Sequence, residues 1–306
     1  MTACTIVIPT HNRPDLLPRA VASALLSCPA GGEVLVLDDH SQTPASQVLA
    51  GVTDARLKVI RNASAGGAAR ARNRGVAQAL GAVVFFLDDD DEMAAGYCDR
   101  ILSEGGGASQ ANWGFSSTVI RLRGSVPADN PLIRHRLRRG LVPKTSCVRD
   151  QIAAMSEGFW IKKRCFEDAG GLDPDLTIDE DTDLCVRLMG LDISPWYEID
   201  PGMVVYRGYL PAAGSAGQLT FATSVSKGLQ CYRRTFDKNE ASFSAHSAPR
   251  WFLAMRFVRR AVKQGQSLLA KTFVAGLQPQ LFKMGMAGFL NLKIGIQRFR
   301  SVPKNR

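Results

Sequence analysis

Phe85-Phe86-Leu87-Asp88-Asp89-Asp90-Asp91 is an apolar run that stops abruptly at four carboxylates. With Val83 and Val84 it reads as a short strand buried on both faces. Four anions at a strand end repel one another unless positive charge sits among them. A hard divalent cation with oxygen ligands, Mg²⁺ or Mn²⁺, meets that need. In extended chain, residues two apart point the same way, so Asp88 and Asp90 are the expected metal pair. Asp89 then faces away, and Asp91 is expected to cap a following helix. A plain acidic turn with a cap is the competing reading.

The same pattern recurs upstream. Thr5 to Pro9 is a β-rich run that ends at Pro9-Thr10-His11-Asn12-Arg13-Pro14, a loop by its prolines and Asn. Asp15 to Leu26 has helical spacing. Glu33 to Leu37 is a second strand, and it ends in Asp38-Asp39-His40-Ser41. A helix near Gln47 and a strand at Leu57 to Ile60 follow, then Gly66-Gly67 and an Ala-rich helix from Ala68 to about Leu80. Strands alternating with helices predict βαβ units around a parallel sheet. Ligands of such sheets bind at the carboxyl ends of the strands, and all three polar clusters fall there.

On the helix after Gly66-Gly67, Arg70, Asn73 and Arg74 lie at i, i+3 and i+4 and share one face. Glycines before a helix let a phosphate approach its N-terminus; a solvated basic face is the alternative. The segment is neither a dinucleotide fingerprint nor a P-loop. Asp38-Asp39 can accept hydrogen bonds from a base or ribose, or can serve as turn and cap. His11 and His40 each stand alone and read as loop residues. Between Gly105 and Asp150 the pattern is weak, with a strand expected at Trp113 to Leu122 and a basic patch from Arg134 to Arg139. A second acidic knot, Asp179-Glu180-Asp181-Thr182-Asp183, enters the helical run 184–190. It can cap that helix or supply a general base. Met203 to Tyr206 is the last expected strand.

Taken together, these elements resemble the family 2 glycosyltransferases. The matching segments are Ile6 to Arg13, Val36 to Ser41, Gly66 to Gly75, Phe86 to Asp91 and Glu180 to Leu184, in the family's order, over about residues 3–210. The resemblance implies the GT-A fold, a Rossmann-like α/β domain with a mostly parallel central sheet flanked by helices. It divides the chain into a nucleotide-sugar half (1–104), an acceptor half (105–215) and a C-terminal extension (216–306). It implies inverting transfer from a nucleotide-sugar, with UDP the first choice, to a glycan or lipid-linked glycan. Under it, Pro9, Thr10, Asn12 and Arg13 wall the nucleotide pocket, and Asp39 reads the base. Gly66, Gly67, Arg70, Asn73 and Arg74 close over nucleotide and sugar. Asp88, Asp89 and Asp90 form a DxD motif, with Asp88 and Asp90 on the metal. Glu180 touches donor or acceptor, and Asp181 is the catalytic base. One departure stands out: Val205-Tyr206-Arg207-Gly208-Tyr209 lacks the His that many members carry there, so that either fewer protein ligands hold the metal or Arg207 takes part of the diphosphate charge.

Composition sets the remaining bounds. The 306 residues suffice for a substantial core, and 45% hydrophobic with 22% charged residues is an ordinary soluble balance. Seven scattered cysteines with no CxxC argue against zinc and a disulfide framework. Residues 5–8 start the first strand with no basic, apolar leader before them, so no signal peptide is expected. The net charge is +10, yet residues 241–306 hold twelve Lys and Arg and no acid. That leaves 26 basic against 28 acidic residues elsewhere, a balance of −2. A near-neutral body argues against nucleic acid. In the tail, Arg256, Arg259, Arg260 and Lys263 lie opposite Trp251, Met255, Val258 and Val262. That is an amphipathic basic helix suited to an anionic membrane surface. The expectation is a cytoplasmic protein on the inner face of the membrane, with packing against the body as the alternative.

Overall fold

The computed structural model describes residues 3–122, 130–132, 137–207, 224–244 and 247–301. The chain divides into two compact units, Met1–Ala222 and Thr223–Arg306. The expected boundary between 215 and 216 lies outside the described residues, as do Arg134, Gly208, Tyr209 and His246.

The first unit runs β1 (Cys4–Thr10), α1 (Leu17–Ser27), β2 (Glu33–Asp38), α2 (Ala45–Val48), β3 (Leu57–Arg61), α3 (Ala68–Gln78) and β4 (Val83–Phe86). It continues with β5 (Glu92–Met93), α4 (Tyr97–Leu102), α5 (Gly107–Gln110), β6 (Trp113–Leu122), β7 (Asn130–Leu132) and β8 (Gly140–Leu141). Last come β9 (Trp160–Lys162), α6 (Lys163–Asp168), α7 (Glu180–Gly190) and β10 (Trp196–Arg207). One sheet takes the order β3-β2-β1-β4-β9-β6-β10-β5, with β7 on β6 and β8 on β10. β1 pairs in parallel with both β2 and β4. β9 is antiparallel to β4 and β6, while β6 and β10 run parallel. This is the mixed, mostly parallel sheet of the GT-A fold.

Strands β1, β2 and β4 are buried at every position, which is why they read as unbroken apolar runs. Apolar cores lie on both faces of the sheet, one around Val7, Leu37 and Phe86, the other around Ile6, Ile8 and Phe85. The chain leaves β1 toward β2 on one side and reaches β4 on the other, so strand order reverses between β1 and β4. A crevice opens at such a reversal, beyond the carboxyl ends of the strands. The loops after β1 and β4 border it, and they carry Pro9 to Arg13 and the four aspartates.

Helix α3 lies close on this sheet because Gly75 has no side chain. A Cβ there would come within 2.5 Å of Val7 Cγ1 and 3.0 Å of Leu37 Cδ2. Gly75→Val is expected to cost about 1–3 kcal/mol through overpacking, read as a lowered melting temperature. An unchanged melting temperature contradicts the tight helix–sheet contact.

Two expectations are corrected here. The strand foreseen at Met203 to Tyr206 is the end of the longer β10, irregular between Glu198 and Met203, where Asp200, Pro201 and Gly202 interrupt its apolar pattern. Asp91 caps no helix: β5 follows it at once, and α4 starts after Gly96.

The second unit comprises α8 (Val225–Asn239), α9 (Ala248–Lys263), α10 (Ser267–Ala275) and α11 (Gln280–Ser301). Aromatic contacts join its helices: Phe257 to Phe273 at 4.5 Å, Phe236 to Phe273 at 5.0 Å and Trp251 to Phe282 at 4.7 Å. Leu253, Ala254, Phe257, Val258, Ala261 and Val262 of α9 are all buried. Of the apolar stripe of the expected membrane helix, Val258 and Val262 are thus buried, while Trp251 and Met255 are half-buried. Of its charges, Arg256 and Arg260 lie over the Tyr232 ring, and Arg259 and Lys263 are exposed. No helix among the described residues is long and apolar enough to cross a membrane.

Candidate functional site

The crevice is a cavity of about 720 Å³. Pro9, Thr10, His11 and Arg13 line it from the loop after β1, and Asp39 from the loop after β2. Asp88 to Asp91 follow β4, Gly67 and Arg72 belong to the start of α3, and Asp179, Glu180 and Asp181 to the start of α7. Arg207, at the end of β10, lies in the same wall.

The aspartate run leaves its strand in a turn closed by Asp91 N–H donating to the Asp88 carbonyl at 3.1 Å. That turn, absent from an extended chain, brings Asp91 round to the side of Asp88 and Asp90. One carboxylate oxygen from each of the three lies within 4.8 Å of the others. Burial, and then the neighbouring charges Asp88 and Asp90, hold the Asp91 carboxyl well above the usual carboxylate range. Burial followed by Asp88 raises Asp90. Three convergent oxygens, with the ionisation of Asp90 and Asp91 disfavoured, fit a divalent cation, which would supply the missing positive charge. The expected Asp88–Asp90 pair thus gains a third member.

Asp89 turns the other way, onto Arg13 Nη1 at 2.7 Å. Burial pushes its carboxyl up to about 6, against the pull of Arg13. Arg13 also reaches Asp90 at 3.1 Å. Burial alone would lower the Arg13 guanidinium, but Asp89 and Asp90 more than offset it. Further along, Arg19 donates to the Asp90 carbonyl at 2.7 Å and stacks on the Tyr206 ring at 3.9 Å. Tyr206 N–H donates to Asp91 at 3.1 Å. The acidic turn is therefore held from α1 and from β10 together.

Arg72, which the sequence pattern passed over, joins the two acidic knots. It is buried, donating to Asp88 at 2.5 Å and to Glu180 at 2.9 Å. Burial opposes its charge, but Asp88, Glu180 and Asp181 together raise the guanidinium. Burial pushes Glu180 up to about 7, with Arg72 working against the rise and Asp181 adding to it. A signal was present: Arg72 sits with Ala69 and Val76 on the inward stripe of its helix. A charge on such a stripe needs partners.

The outer face of α3 does other work. Arg70 is exposed and 3.6 Å from Asp175. Asn73 clamps Leu172, donating to its carbonyl at 2.8 Å and accepting from its N–H at 2.9 Å. Arg74 donates to the Arg61 carbonyl at 3.1 Å and also bonds Asn62. None of the three lines the crevice. The helix after the glycines has two candidate faces, and the buried one, carrying Arg72, points to the acids.

Asp39 accepts from Gly66 N–H at 2.9 Å, Gly67 N–H at 2.7 Å and Asn62 Nδ2 at 2.7 Å. It pins the loop ahead of α3, where Gly67 has φ +88°, a conformation that favours glycine. Gly66 itself stands behind that wall. Asp38 is structural, accepting from Ser41 N–H, Ala45 N–H and Arg61. Asn12 braces the first loop, accepting from Gln42 N–H at 2.7 Å. His11 faces the crevice with Nδ1 2.7 Å from the Asp39 carbonyl.

In the second knot, α7 already begins at Glu180, so Glu180, Asp181 and Asp183 occupy its first turn, where the helix dipole favours acids. Asp179 precedes the helix at φ +77° and makes no side-chain cap bond. Asp183 is fully buried against Arg187 at 2.8 Å. Asp181 faces the crevice, its Oδ1 accepting from Thr182 N–H at 2.6 Å. A second hollow, of about 980 Å³, lies within the helical unit beside Leu229, Arg233 and Phe257. Its lining carboxylate, Asp237, is bonded by Arg233 at 2.7 Å.

Known proteins share this framework. Residues 5–104 match the model of glycosyl transferase family 2. The Escherichia coli UDP-Glc:alpha-D-GlcNAc-diphosphoundecaprenol beta-1,3-glucosyltransferase WfgD is 34% identical over 99 residues, 32% of this chain and 39% of that protein. The Rhizobium meliloti succinoglycan biosynthesis protein ExoU is 36% identical over 107 residues, 34% of this chain and 31% of that protein. The chain thus spans well under half the length of these relatives. The crystal structure of S. aureus TarS 1-349 in complex with UDP-GlcNAc superposes with a TM-score of 0.60 at 15% identity, covering 95% of this chain and 81% of that one. Sequence and fold agree: residues 5–104 match glycosyl transferase family 2, and the first unit has the GT-A fold.

Proposed function

We propose that the protein is an inverting glycosyltransferase that moves a sugar from a nucleotide-diphosphate sugar, UDP by preference, to an acceptor hydroxyl in bacterial surface polysaccharide or glycoconjugate synthesis. The observation that carries this is the meeting of both acidic knots in one crevice, Asp88, Asp90 and Asp91 on one wall and Asp181 on another. The glucosyltransferase named above uses UDP-Glc and a lipid-diphosphate-linked sugar, which supports a UDP donor and a lipid-linked acceptor.

Asp88, Asp90 and Asp91 would hold Mg²⁺ or Mn²⁺. Bound there, the ion would neutralise diphosphate charge as that leaving group departs. The protein's own residues carry the other tasks. Arg13 and Arg207 line the crevice with the aspartates and would take diphosphate charge. Asp181 takes the proton of the acceptor hydroxyl. The acceptor oxygen bonds to the anomeric carbon from the face opposite the diphosphate, and the bond to the leaving oxygen breaks with its electron pair. A single displacement of this kind inverts the anomeric centre. The basic second unit and the lipid-linked acceptor of that relative support a cytoplasmic enzyme working at an anionic membrane surface.

A thermal-shift panel of UDP, GDP, dTDP and their sugars, with and without Mn²⁺, tests the reading. A ligand at 100 times its dissociation constant stabilises by about 2.7 kcal/mol, so UDP with Mn²⁺ is expected to raise the melting temperature visibly. No shift with any nucleotide overturns the proposal. A shift without release of labelled sugar from the donor points instead to a silent nucleotide-sugar-binding protein.

A further inference from the structure

The outward face of α11 contradicts the usual logic of a surface helix. Leu281, Met284, Gly288, Leu292, Gly295 and Ile296 are all exposed. At 3.6 residues per turn they fall within an arc of about 120°. The remaining exposed positions between 281 and 296 are Gly285 and Asn291, so that face carries no charge at all. The leucines and Met284 are 60% or more exposed, Ile296 40%. A helix packed on a soluble unit ordinarily turns its charged side to water. Here the inward side is provided for separately by Phe282, Met286 and Leu290, which are buried. The helix has two apolar sides, and one of them is uncovered. Lys283 and Lys293 are partly buried, Lys283 at the edge of the inward side and Lys293 on it.

We propose that this outer face of α11 lies in the headgroup and upper acyl region of an anionic lipid bilayer. The inference rests on the membrane reading above and changes its agent, from the basic helix α9 to the apolar face of α11. Charge selects the occupant. Residues 241–306 carry twelve Lys and Arg and no acid, so a second copy meeting face to face would bring two segments of strong like charge together around the uncharged face. An anionic lipid surface attracts the same charge, each basic residue near it adding to the binding. Apolar side chains then enter the interface while lysine stems extend to the phosphates. α11 has too many charges to span, with Lys283, Lys293, Arg298 and Arg300 within Gln280–Ser301, so it lies in the plane of the surface. Gly288 and Gly295 have nothing within 4 Å of a built Cβ, which leaves room for acyl chains between the larger residues.

Flotation of the full chain with vesicles of phosphatidylglycerol and phosphatidylethanolamine tests the inference, against vesicles of pure phosphatidylcholine. Binding to the anionic vesicles is expected. The variant Leu281→Gln/Met284→Gln/Leu292→Gln/Ile296→Gln should lose about a hundredfold in partitioning, since each replaced residue gives up buried apolar area. Because all four are exposed, its melting temperature and its shift with nucleotide should be unchanged. Arg259→Gln/Lys263→Gln should show a smaller, salt-dependent loss. Wild-type failure to bind anionic vesicles overturns both this inference and the membrane reading. Wild-type binding that the four glutamines leave intact overturns the assignment to α11 alone. A lipid-free dimer that the same four substitutions dissociate also overturns it, in favour of a second copy. The nucleotide shift reports on the glycosyltransferase proposal independently of all three.

Discussion

Asp181→Asn is expected to lower sugar transfer by about 10²–10⁴-fold, the usual contribution of a general base, while UDP should still raise the melting temperature as in the wild type. The side chain faces the crevice with one oxygen fixed by Thr182 N–H at 2.6 Å. Asn keeps that shape and size, so the loss reports the missing proton acceptor. Glu180 is the rival base, being next in sequence and raised to about 7. Its carboxylate is engaged by Arg72 at 2.9 Å, and taking up a proton there would break a buried ion pair. Steady-state turnover with a saturating donor separates the two. Near-normal turnover in Asp181→Asn removes Asp181 from the mechanism.

Arg72→Met is expected to destabilise the first unit more than any other single change considered. Arg72 is buried between Asp88 and Glu180. Removing one partner of a buried ion pair typically costs about 3–5 kcal/mol, because it leaves the other charge uncompensated. For a unit of this size each kcal/mol lowers the melting temperature by roughly 2–4 °C, so a fall on the order of 6–20 °C should appear. Arg72→Lys should recover only part of it, since one ammonium lacks the planar fork that bonds two carboxylates at once. Turnover should fall in both variants, through misplaced Asp88 and Glu180. A melting temperature within a degree or two of the wild type would show that the two knots are not joined through this residue.

The acidic turn shows how tertiary contacts alter a local reading. In an extended chain the period of two selects Asp88 and Asp90 and sets Asp91 aside. The turn after β4 closes on its own backbone, and Tyr206 of β10, more than a hundred residues later, holds Asp91 in place. No local pattern carries that information. On α3, glycines before a helix and basic residues at i, i+3 and i+4 marked the exposed face. The residue that reaches the acids is on the buried face, visible only as a charge out of place among alanines.

What the sequence determined by itself was the sheet and the rim of the crevice. Runs as apolar as those of β1, β2 and β4 must be buried on both faces, and polar clusters at their carboxyl ends follow the direction of the chain in a parallel sheet. Those are local properties, set by side-chain period and by where it breaks. Only the tertiary structure decided which acids converge, that Arg72 bridges them, and which helix of the second unit keeps an uncovered apolar face. Each of these depends on what packs opposite. α9 and α11 both carry apolar stripes in sequence, but neighbouring helices bury the one and leave the outer stripe of the other in water.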